Sequence, residues 1–144
     1  MRLAKAGVLS GATFAANLIW EVAQAQLYAG YPGFWPNLLM CARASVGDVV
    51  IVAAIYGVFA LAYRDVDWPV RSGIGTLVAV AIAGGLIGIV IEWWALSTGR
   101  WRYAGMPLLP IVNVGLLPVL QMAILPTSLF AAYAFYRHRR GQSG

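Results

Sequence analysis

Three carboxylic acids lie inside long apolar segments of this 144-residue chain, where ionisable side chains are costly. They are Glu21, Asp48 and Glu92. An ionisable group near the middle of a membrane-spanning helix costs about 2.5 to 3.5 kcal/mol on the insertion scale, so such groups usually have a function. Apolar surroundings favour the neutral form of a carboxylic acid, and a neutral acid is able to protonate an alkene or an epoxide. These three acids are therefore the candidate catalytic residues.

Amides and aromatic rings accompany the acids at helical spacing. Asn17, Glu21, Gln24 and Tyr28 are separated by four, three and four residues, so they share one face of a helix. Asn113 and Gln121 are eight apart and share a face in the same way. Polar faces avoid lipid, so both should point into a helix bundle. Tryptophan faces stabilise carbocations through cation–π attraction. The candidate substrate-binding residues are Asn17, Trp20, Gln24, Trp93, Trp94, Trp101, Asn113 and Gln121.

A purely structural interpretation of the same residues remains open. Glu21 or Glu92 would then pair with one of three nearby arginines, and the amides would link helices. The arginines assigned to this anchoring or pairing role are Arg43, Arg100 and Arg102.

The composition is that of a membrane protein. Hydrophobic residues make up 61% of the chain and charged residues 10%, whereas a soluble domain needs roughly a quarter of its residues charged. The net charge of +5 does not indicate nucleic-acid binding, because the basic residues lie at the edges of apolar segments and no recognition pattern accompanies them. A single cysteine, Cys41, and a single histidine, His138, exclude an internal disulfide and make a His/Cys metal site improbable. We expect neither metal nor cofactor.

Hydropathy predicts an all-α fold: an integral membrane bundle of four transmembrane helices in one domain, 1–144. The predicted spans are residues 7–28, 40–63, 73–96 and 111–136. With both termini cytoplasmic, seven basic residues lie inside and three outside, in agreement with the positive-inside rule. The expected location is the inner membrane. All three acids then fall in the outer half of the bilayer. As an alternative, Met1 to Gln26 is a cleaved signal peptide, because Ala23-Gln24-Ala25 fits an A-x-A site.

Two short segments resemble known membrane enzymes. Asn17-Leu18-Ile19-Trp20-Glu21 reads N-x-x-W-E and resembles a motif of integral-membrane terpene cyclases, whose glutamate is thought to start cyclisation by protonation. Glu92, Thr98-Gly99-Arg100-Trp101-Arg102-Tyr103 and Met106-Pro107 are similar to the E, T-G-x-x-x-Y and proline succession of carotenoid-pathway membrane proteins. The whole chain also looks like small polytopic membrane proteins of proteobacteria, which bring no known activity. The acidic pair that follows the proline in lycopene cyclases is missing here.

Three functions follow from these observations. The first is an enzyme that acts on an isoprenoid or similar lipid, with Glu21 as general acid and Glu92 or Asp48 as its partner. The second is a non-catalytic lipid-binding, accessory or assembly protein. The third is a small proton-coupled transporter, which the absence of paired repeats disfavours. Membrane lipid is the expected partner. A homo-oligomer or a partner in a membrane complex remains open.

Overall fold

The computed structural model describes the backbone of residues 2–141 and the side chains of residues 7–139. This part of the chain is helical, and no strand longer than an isolated bridge occurs in it. Four long helices, with a short one between the second and third, make up the fold. They are α1 Arg2–Gln24, α2 Phe34–Tyr63, α3 Trp68–Arg71, α4 Ile74–Ser97 and α5 Leu116–Gly141, and a 3-10 turn, Ala25–Leu27, continues α1.

Three of these helices are long and apolar enough to cross a membrane. Their mean hydropathies are 2.1 for Phe34–Tyr63, 2.5 for Ile74–Ser97 and 1.6 for Leu116–Arg139. Helix α1 has 23 residues and is not among them within the described residues. Its buried polar residues, Asn17 and Gln24, lower its hydropathy. The helices therefore indicate a multi-pass membrane protein, and the fourth crossing stays a prediction.

The helix boundaries agree best with the sequence where a span is uniformly apolar. The predicted third span, 73–96, matches α4 to within one residue at each end. Helix α2 begins six residues before the predicted start at 40, directly after Gly33, whose φ is 97°. Pro36 then occupies the first turn of α2, where its missing N–H leaves no helical hydrogen bond unmade.

The predicted start of the fourth span at residue 111 is wrong. Helix α5 begins at Leu116, because a compact loop occupies the preceding residues. In that loop Leu109 N–H donates to Val114 O at 2.8 Å, and both Ile111 and Asn113 have positive φ. A positive φ is incompatible with an α-helix, although the segment is as apolar as a span.

Glycines allow α4 and α5 to approach closely. A side chain at Gly84 would overlap the carbonyl oxygen of Met122, and one at Gly88 would lie 3.1 Å from Val119 Cα. Small residues at this four-residue spacing therefore permit the two helices to pack closely. Gly7 and Gly11, four apart in α1, face open space and pack against nothing within 4 Å.

An aromatic cluster fills the end of the bundle where α3 lies, which we call the α3 end. Trp68 is 1% exposed, and its ring lies 5.2 Å from Phe59 and 5.1 Å from Phe130, between ring centroids. Trp68 Nε1 donates to Tyr56 O at 3.2 Å, so its one polar atom is satisfied. The α3 end is therefore a well-packed apolar core.

Two loops meet at the opposite end of the bundle, which we call the loop end. Ala29 N–H donates to Arg102 O at 2.8 Å, and Ala104 N–H donates to Leu27 O at 2.8 Å. An isolated antiparallel bridge joins Tyr28 to Tyr103. These contacts hold the segment after α1 against the segment after α4, and both lie beside the site described next.

Candidate functional site

A cavity of about 610 Å³ opens at the loop end, between α1, α2, α4 and α5. Glu21, Asp48 and Glu92 all line it, so the structure brings the three candidate catalytic acids to one place. Two of the predicted tryptophans, Trp94 and Trp101, line it as well. We call this cavity the acid pocket. Its volume lies within the range usual for small-molecule sites.

Two buried glutamines link the acids across three helices. Gln24 of α1 donates from Nε2 to Glu21 Oε1 at 3.1 Å and to Gln121 Oε1 at 3.0 Å. Gln121 of α5 donates from Nε2 to Asp48 Oδ2 at 3.0 Å and to Asn17 Oδ1 at 2.9 Å. The expectation that the polar face of α1 points into the bundle is confirmed, and so is the expectation that amides link helices. Glu21 and Asp48 are joined through two amides.

One atom of this network has no partner among the described residues. Gln24 Oε1 is buried, and no hydrogen-bond donor reaches it. An amide nitrogen has two hydrogens, and Gln24 uses both, so its carbonyl oxygen remains the unused acceptor. A buried acceptor without a donor destabilises the folded state. The packing around Gln24 therefore leaves one of its possible hydrogen bonds unmade.

Glu92 has a different set of partners from the other two acids. It is 3% exposed, and its Oε2 accepts hydrogen bonds from Trp101 Nε1 at 3.3 Å and from the Tyr103 hydroxyl. The Tyr103 hydroxyl in turn accepts from Gly115 N–H at 2.7 Å. The Tyr103 hydroxyl therefore donates to Glu92 and accepts from Gly115 at the same time.

The pKa values of two phenols at the loop end are raised above the ordinary value of tyrosine. Burial raises the pKa of Tyr103, and its hydrogen bond to Glu92 raises it further. Burial also raises the pKa of Tyr28, with a further contribution from the negative charge of Glu92. Tyr28 lies 5.8 Å from Tyr103 and 6.1 Å from Trp101 between ring centroids. The three rings form a group next to the acid pocket.

The predicted pairing of the acids with arginines is not formed. Among the side chains of residues 7–139, Arg71 and Asp65 at 2.8 Å are the only ion pair within 4.0 Å. Arg43 and Arg100 do line the acid pocket, and Arg100 lies over the Trp94 ring at 4.9 Å. Arg102 is exposed and is not among the lining residues.

Five predicted binding residues are not among those that line the acid pocket. Two of them, Asn17 and Gln24, are connected to it through their hydrogen bonds with Gln121, and the other three lie elsewhere. Trp20 lines a separate apolar groove of about 500 Å³ between α1 and α5. Trp93 is half exposed, and its Nε1 donates to Val112 O at 2.9 Å. Asn113 is exposed in the loop before α5, so it does not share a helix face with Gln121. Adjacent residues of a helix diverge by about 100°, which separates Trp20 from Glu21 and Trp93 from Trp94.

Sequence reasoning did not select four residues that belong to this region. Tyr28, Asn37 and Cys41 line the acid pocket, and Asn37 Nδ2 donates to Cys41 Sγ at 2.9 Å. Tyr103 binds Glu92. Two of them carried a usable signal, because Tyr28 ends the polar face of α1 and Tyr103 ends the T-G-x-x-x-Y segment.

No group of three His, Cys, Asp or Glu side chains is arranged to hold a metal ion within the described part of the chain. Searches of protein-family models, of curated proteins and of solved structures find no match to this chain. The class that the fold defines is therefore an all-α, multi-pass membrane protein. The feature of this structure that bears on function is the acid pocket.

Proposed function

We propose that the acid pocket binds an isoprenoid-type lipid and that its carboxylic acids transform this lipid by acid-initiated chemistry. One observation carries the proposal: three carboxylic acids, none paired with a cation among the described side chains, line a single cavity in an apolar helix bundle. Intramembrane acids are expensive, and acids that only stabilise packing are normally paired. A lipid substrate reaches such a cavity from the surrounding membrane.

Glu21 is the general acid in this proposal, and Asp48 or Glu92 is the base. Glu21 gives its proton to one carbon of an alkene, whose π electrons form the new C–H bond and leave a cation on the neighbouring carbon. A second alkene of the same chain attacks the cation and closes a ring, or no ring forms. The base then removes a proton from the adjacent carbon, and a double bond forms again. Before the next turnover the base releases this proton to water, and Glu21 takes up a proton from water. The sequence is an isomerisation, so it needs no oxidant or other reactant.

The hydrogen bonds of the three acids support these roles. Glu92 accepts hydrogen bonds from Trp101 and Tyr103 on one oxygen, which hold its carboxyl group in a fixed position, as a base requires. Glu21 accepts an amide hydrogen bond from Gln24 on Oε1, which orients its carboxyl group. The network of Gln24 and Gln121 holds Glu21 and Asp48 at fixed positions on different helices. Fixed positions are what proton transfer to a bound substrate requires.

Aromatic rings lining the same cavity suit the cationic stage of the reaction. Tyr28, Trp94 and Trp101 belong to the lining of the acid pocket. Ring faces attract a cation within about 6 Å by about 0.5 to 2 kcal/mol, depending on desolvation. These ring faces would therefore stabilise a carbocation inside the cavity.

The proposed site lies in the outer half of the inner membrane. This placement rests on the charge distribution, since basic residues are concentrated at the two termini and in the segment between α2 and α4. The loop end, with the acid pocket, then faces away from the cytoplasm.

Deuterium uptake tests the proposal directly. Protein in phosphatidylcholine nanodiscs is incubated in D₂O with a panel of linear isoprenoid alcohols and hydrocarbons, and the recovered lipids are analysed by mass spectrometry. We expect the wild type to introduce deuterium, and Glu21→Gln to abolish uptake without lowering the thermal unfolding temperature. Asp67→Asn, at the α3 end, is the matched control and should behave as the wild type. Equal uptake by Glu21→Gln, or none by the wild type with any lipid, would refute the proposal.

A non-catalytic lipid-binding or accessory role is the second candidate. It is favoured by Gln121, which connects α1, α2 and α5 through its side-chain amide and so gives the polar residues a packing role. Under this alternative, Glu21→Gln mainly lowers the unfolding temperature, and no deuterium enters any lipid. The same experiment therefore separates the two candidates.

A further inference from the structure

The lining of the acid pocket changes in character along its depth. On α2, Arg43 comes five residues before Asp48, which places it about 7.5 Å closer to the loop end at 1.5 Å per residue. Arg100 lies in the loop that follows α4, at the same end. Beyond Asp48, the lining continues to Ile51 and Met122, which are apolar. Along α2 the lining therefore begins with Asn37, Met40 and Cys41 and continues through Arg43 to Asp48 and Ile51, so that the cation lies nearer the loop end than the acid and the apolar side chain lies farther from it. We call the part of the cavity beside Arg43 and Arg100 its mouth.

The two guanidinium groups at the mouth are not used by the acids nearby. Neither Arg43 nor Arg100 has a carboxylate within 4.0 Å among the described side chains. Arg100 is stacked on Trp94 at 4.9 Å, and stacking engages the face of the guanidinium while its N–H groups at the edge remain available. Arg43 is exposed on α2. Two cations from different elements therefore flank one opening.

We propose that the acid pocket selects an amphiphile with a phosphate or diphosphate head group, bound by Arg43 and Arg100. This inference rests on the proposed function, because it assumes that an isoprenoid chain occupies the cavity. Guanidinium groups bind phosphate oxygens in a bidentate manner, and a phosphate has enough oxygens for two arginines at once. With the head group at the mouth, the chain passes the acids and ends on the apolar side chains beyond them.

The proposed orientation keeps the negative head group away from the acids. A phosphate deeper in the pocket would lie against the ionised acid that serves as base, Asp48 or Glu92, and like charges repel strongly where water is excluded. At the mouth, the arginines lie between the head group and the acids. The same arrangement brings an alkene of the chain, rather than the head group, next to Glu21.

A binding experiment with chain-matched probes tests this inference. Wild-type protein in phosphatidylcholine nanodiscs is titrated with farnesyl diphosphate, farnesol and inorganic diphosphate, with tryptophan fluorescence and calorimetry as readouts. We expect farnesyl diphosphate to bind at least about tenfold tighter than farnesol, since one charge-assisted contact is worth about tenfold or more. Inorganic diphosphate should compete only weakly, because it lacks the chain.

The variants separate a head-group site from general attraction to membranes. Arg43→Gln and Arg100→Gln should each weaken farnesyl diphosphate binding about tenfold and leave farnesol binding unchanged. Arg100→Lys should keep part of the affinity, because it keeps the charge and loses the bidentate geometry. Arg102→Gln, on the same loop as Arg100 but outside the pocket lining, is the matched control and should bind like the wild type.

The outcomes distinguish this inference from the proposed function. If farnesol and farnesyl diphosphate bind equally, or if Arg102→Gln weakens binding as much as Arg100→Gln, the head-group assignment is wrong while a lipid pocket remains. If inorganic diphosphate binds as tightly as farnesyl diphosphate, the arginines form a site for soluble anions. If no isoprenoid binds the wild type at all, the proposed function fails together with the inference.

Discussion

Gln121 shows how a single buried amide organises the site. Its side chain is 1% exposed, donates to Asn17 and Asp48, and accepts from Gln24. Each partner belongs to α1 or α2, so the position of α5 relative to both helices depends on this residue. In an apolar bundle, an amide has few alternative partners, and the hydrogen bonds therefore specify one arrangement of the three helices.

Replacing Gln121 by methionine tests this role at nearly constant shape. Gln121→Met removes both donated hydrogen bonds and leaves the buried oxygens of Asn17 and Asp48 without them. Each buried group left unpaired costs about 1 to 3 kcal/mol, so we expect a clear fall in the free energy of unfolding. Unfolding in detergent, followed by circular dichroism, measures it. Ser128→Ala, exposed on the same helix, is the control, and equal stability of both variants would contradict the prediction.

Tyr103 makes the stability of the fold sensitive to alkaline pH. Its pKa in the folded protein is raised above the ordinary value of 10.0 by burial and by Glu92. Above about pH 10, the unfolded chain loses this proton while the folded protein keeps it, so the free energy of unfolding decreases as pH rises. Below about pH 10, both states are neutral and the contribution is fully present.

The unfolding temperature as a function of pH measures this effect. We expect it to fall as the pH rises above about 10 in the wild type and to fall less steeply in Tyr103→Phe. Ser128→Ala, which removes no titratable group, is the comparison and should keep the wild-type slope. Identical slopes for the wild type and Tyr103→Phe would show that Tyr103 does not contribute.

At the residue scale, the sequence predicted which acids converge but not what holds them. Cost in the membrane and helical periodicity identify Glu21, Asp48 and Glu92 without any knowledge of neighbours. The hydrogen bond from Tyr103 to Glu92 depends on the path of a loop, and no periodicity encodes that path. Trp20 is adjacent to Glu21 in sequence, but neighbouring residues of a helix diverge by about 100°, and its ring lines a different groove.

The interface of α4 and α5 is the element on which the depth of the acid pocket depends. Gly84 and Gly88 remove side chains where α5 passes, so α5 lies against the backbone of α4. Gly88 and Met122 also line the pocket, so this close approach shapes the pocket floor. Small residues at four-residue spacing allow such packing without any polar contact.

Two neighbouring glycines provide a matched test of that interface. Gly84→Ala places a Cβ into the carbonyl oxygen of Met122, and backbone cannot move aside as a side chain can, so we expect a loss of about 1 to 3 kcal/mol in stability. Gly85→Ala meets Ala123 Cβ at 3.8 Å, an ordinary contact, and should be neutral or slightly stabilising. The thermal unfolding temperatures of both variants in detergent measure these changes in stability. Equal effects would mean that the two helices do not pack as described.

Element boundaries show where hydropathy stops being informative. The apolar run that includes Leu108, Leu109 and Ile111 leads directly into α5, yet it folds as a loop. The positive φ at Ile111 and Asn113 is a backbone property, and neither residue type demands it. Hydropathy measures transfer from water and does not distinguish a helix from a buried or interfacial loop.

At the scale of the whole molecule, the bundle has one packed end and one hollow end. The α3 end is filled by the rings around Trp68, while the loop end encloses about 610 Å³ between the same helices. Apolar packing at one end supplies stability that the polar, cavity-bearing end lacks. Because the α3 end stabilises the fold, the residues of the acid pocket need not be the ones that pack best.

The direction of the helices relates both ends to the membrane. Helix α2 runs from the loop end to the α3 end, α4 returns, and α5 runs again toward the α3 end. The C-terminal arginines therefore lie at the same end as Arg64 and Arg71, whereas Arg100 and Arg102 lie at the loop end. Such asymmetry predicts that the α3 end faces the cytoplasm.

Labelling of single introduced cysteines tests this orientation in intact cells. The native Cys41 is 4% exposed, so it should react little with a membrane-impermeant maleimide. Ser97→Cys, exposed at the loop end, should be labelled in intact spheroplasts, and Val66→Cys, exposed near the α3 end, only after lysis. The reverse pattern would place the acid pocket toward the cytoplasm. Labelling of both positions before lysis would mean that the three apolar helices do not cross the membrane as proposed, because successive crossings must place these two loops on opposite sides.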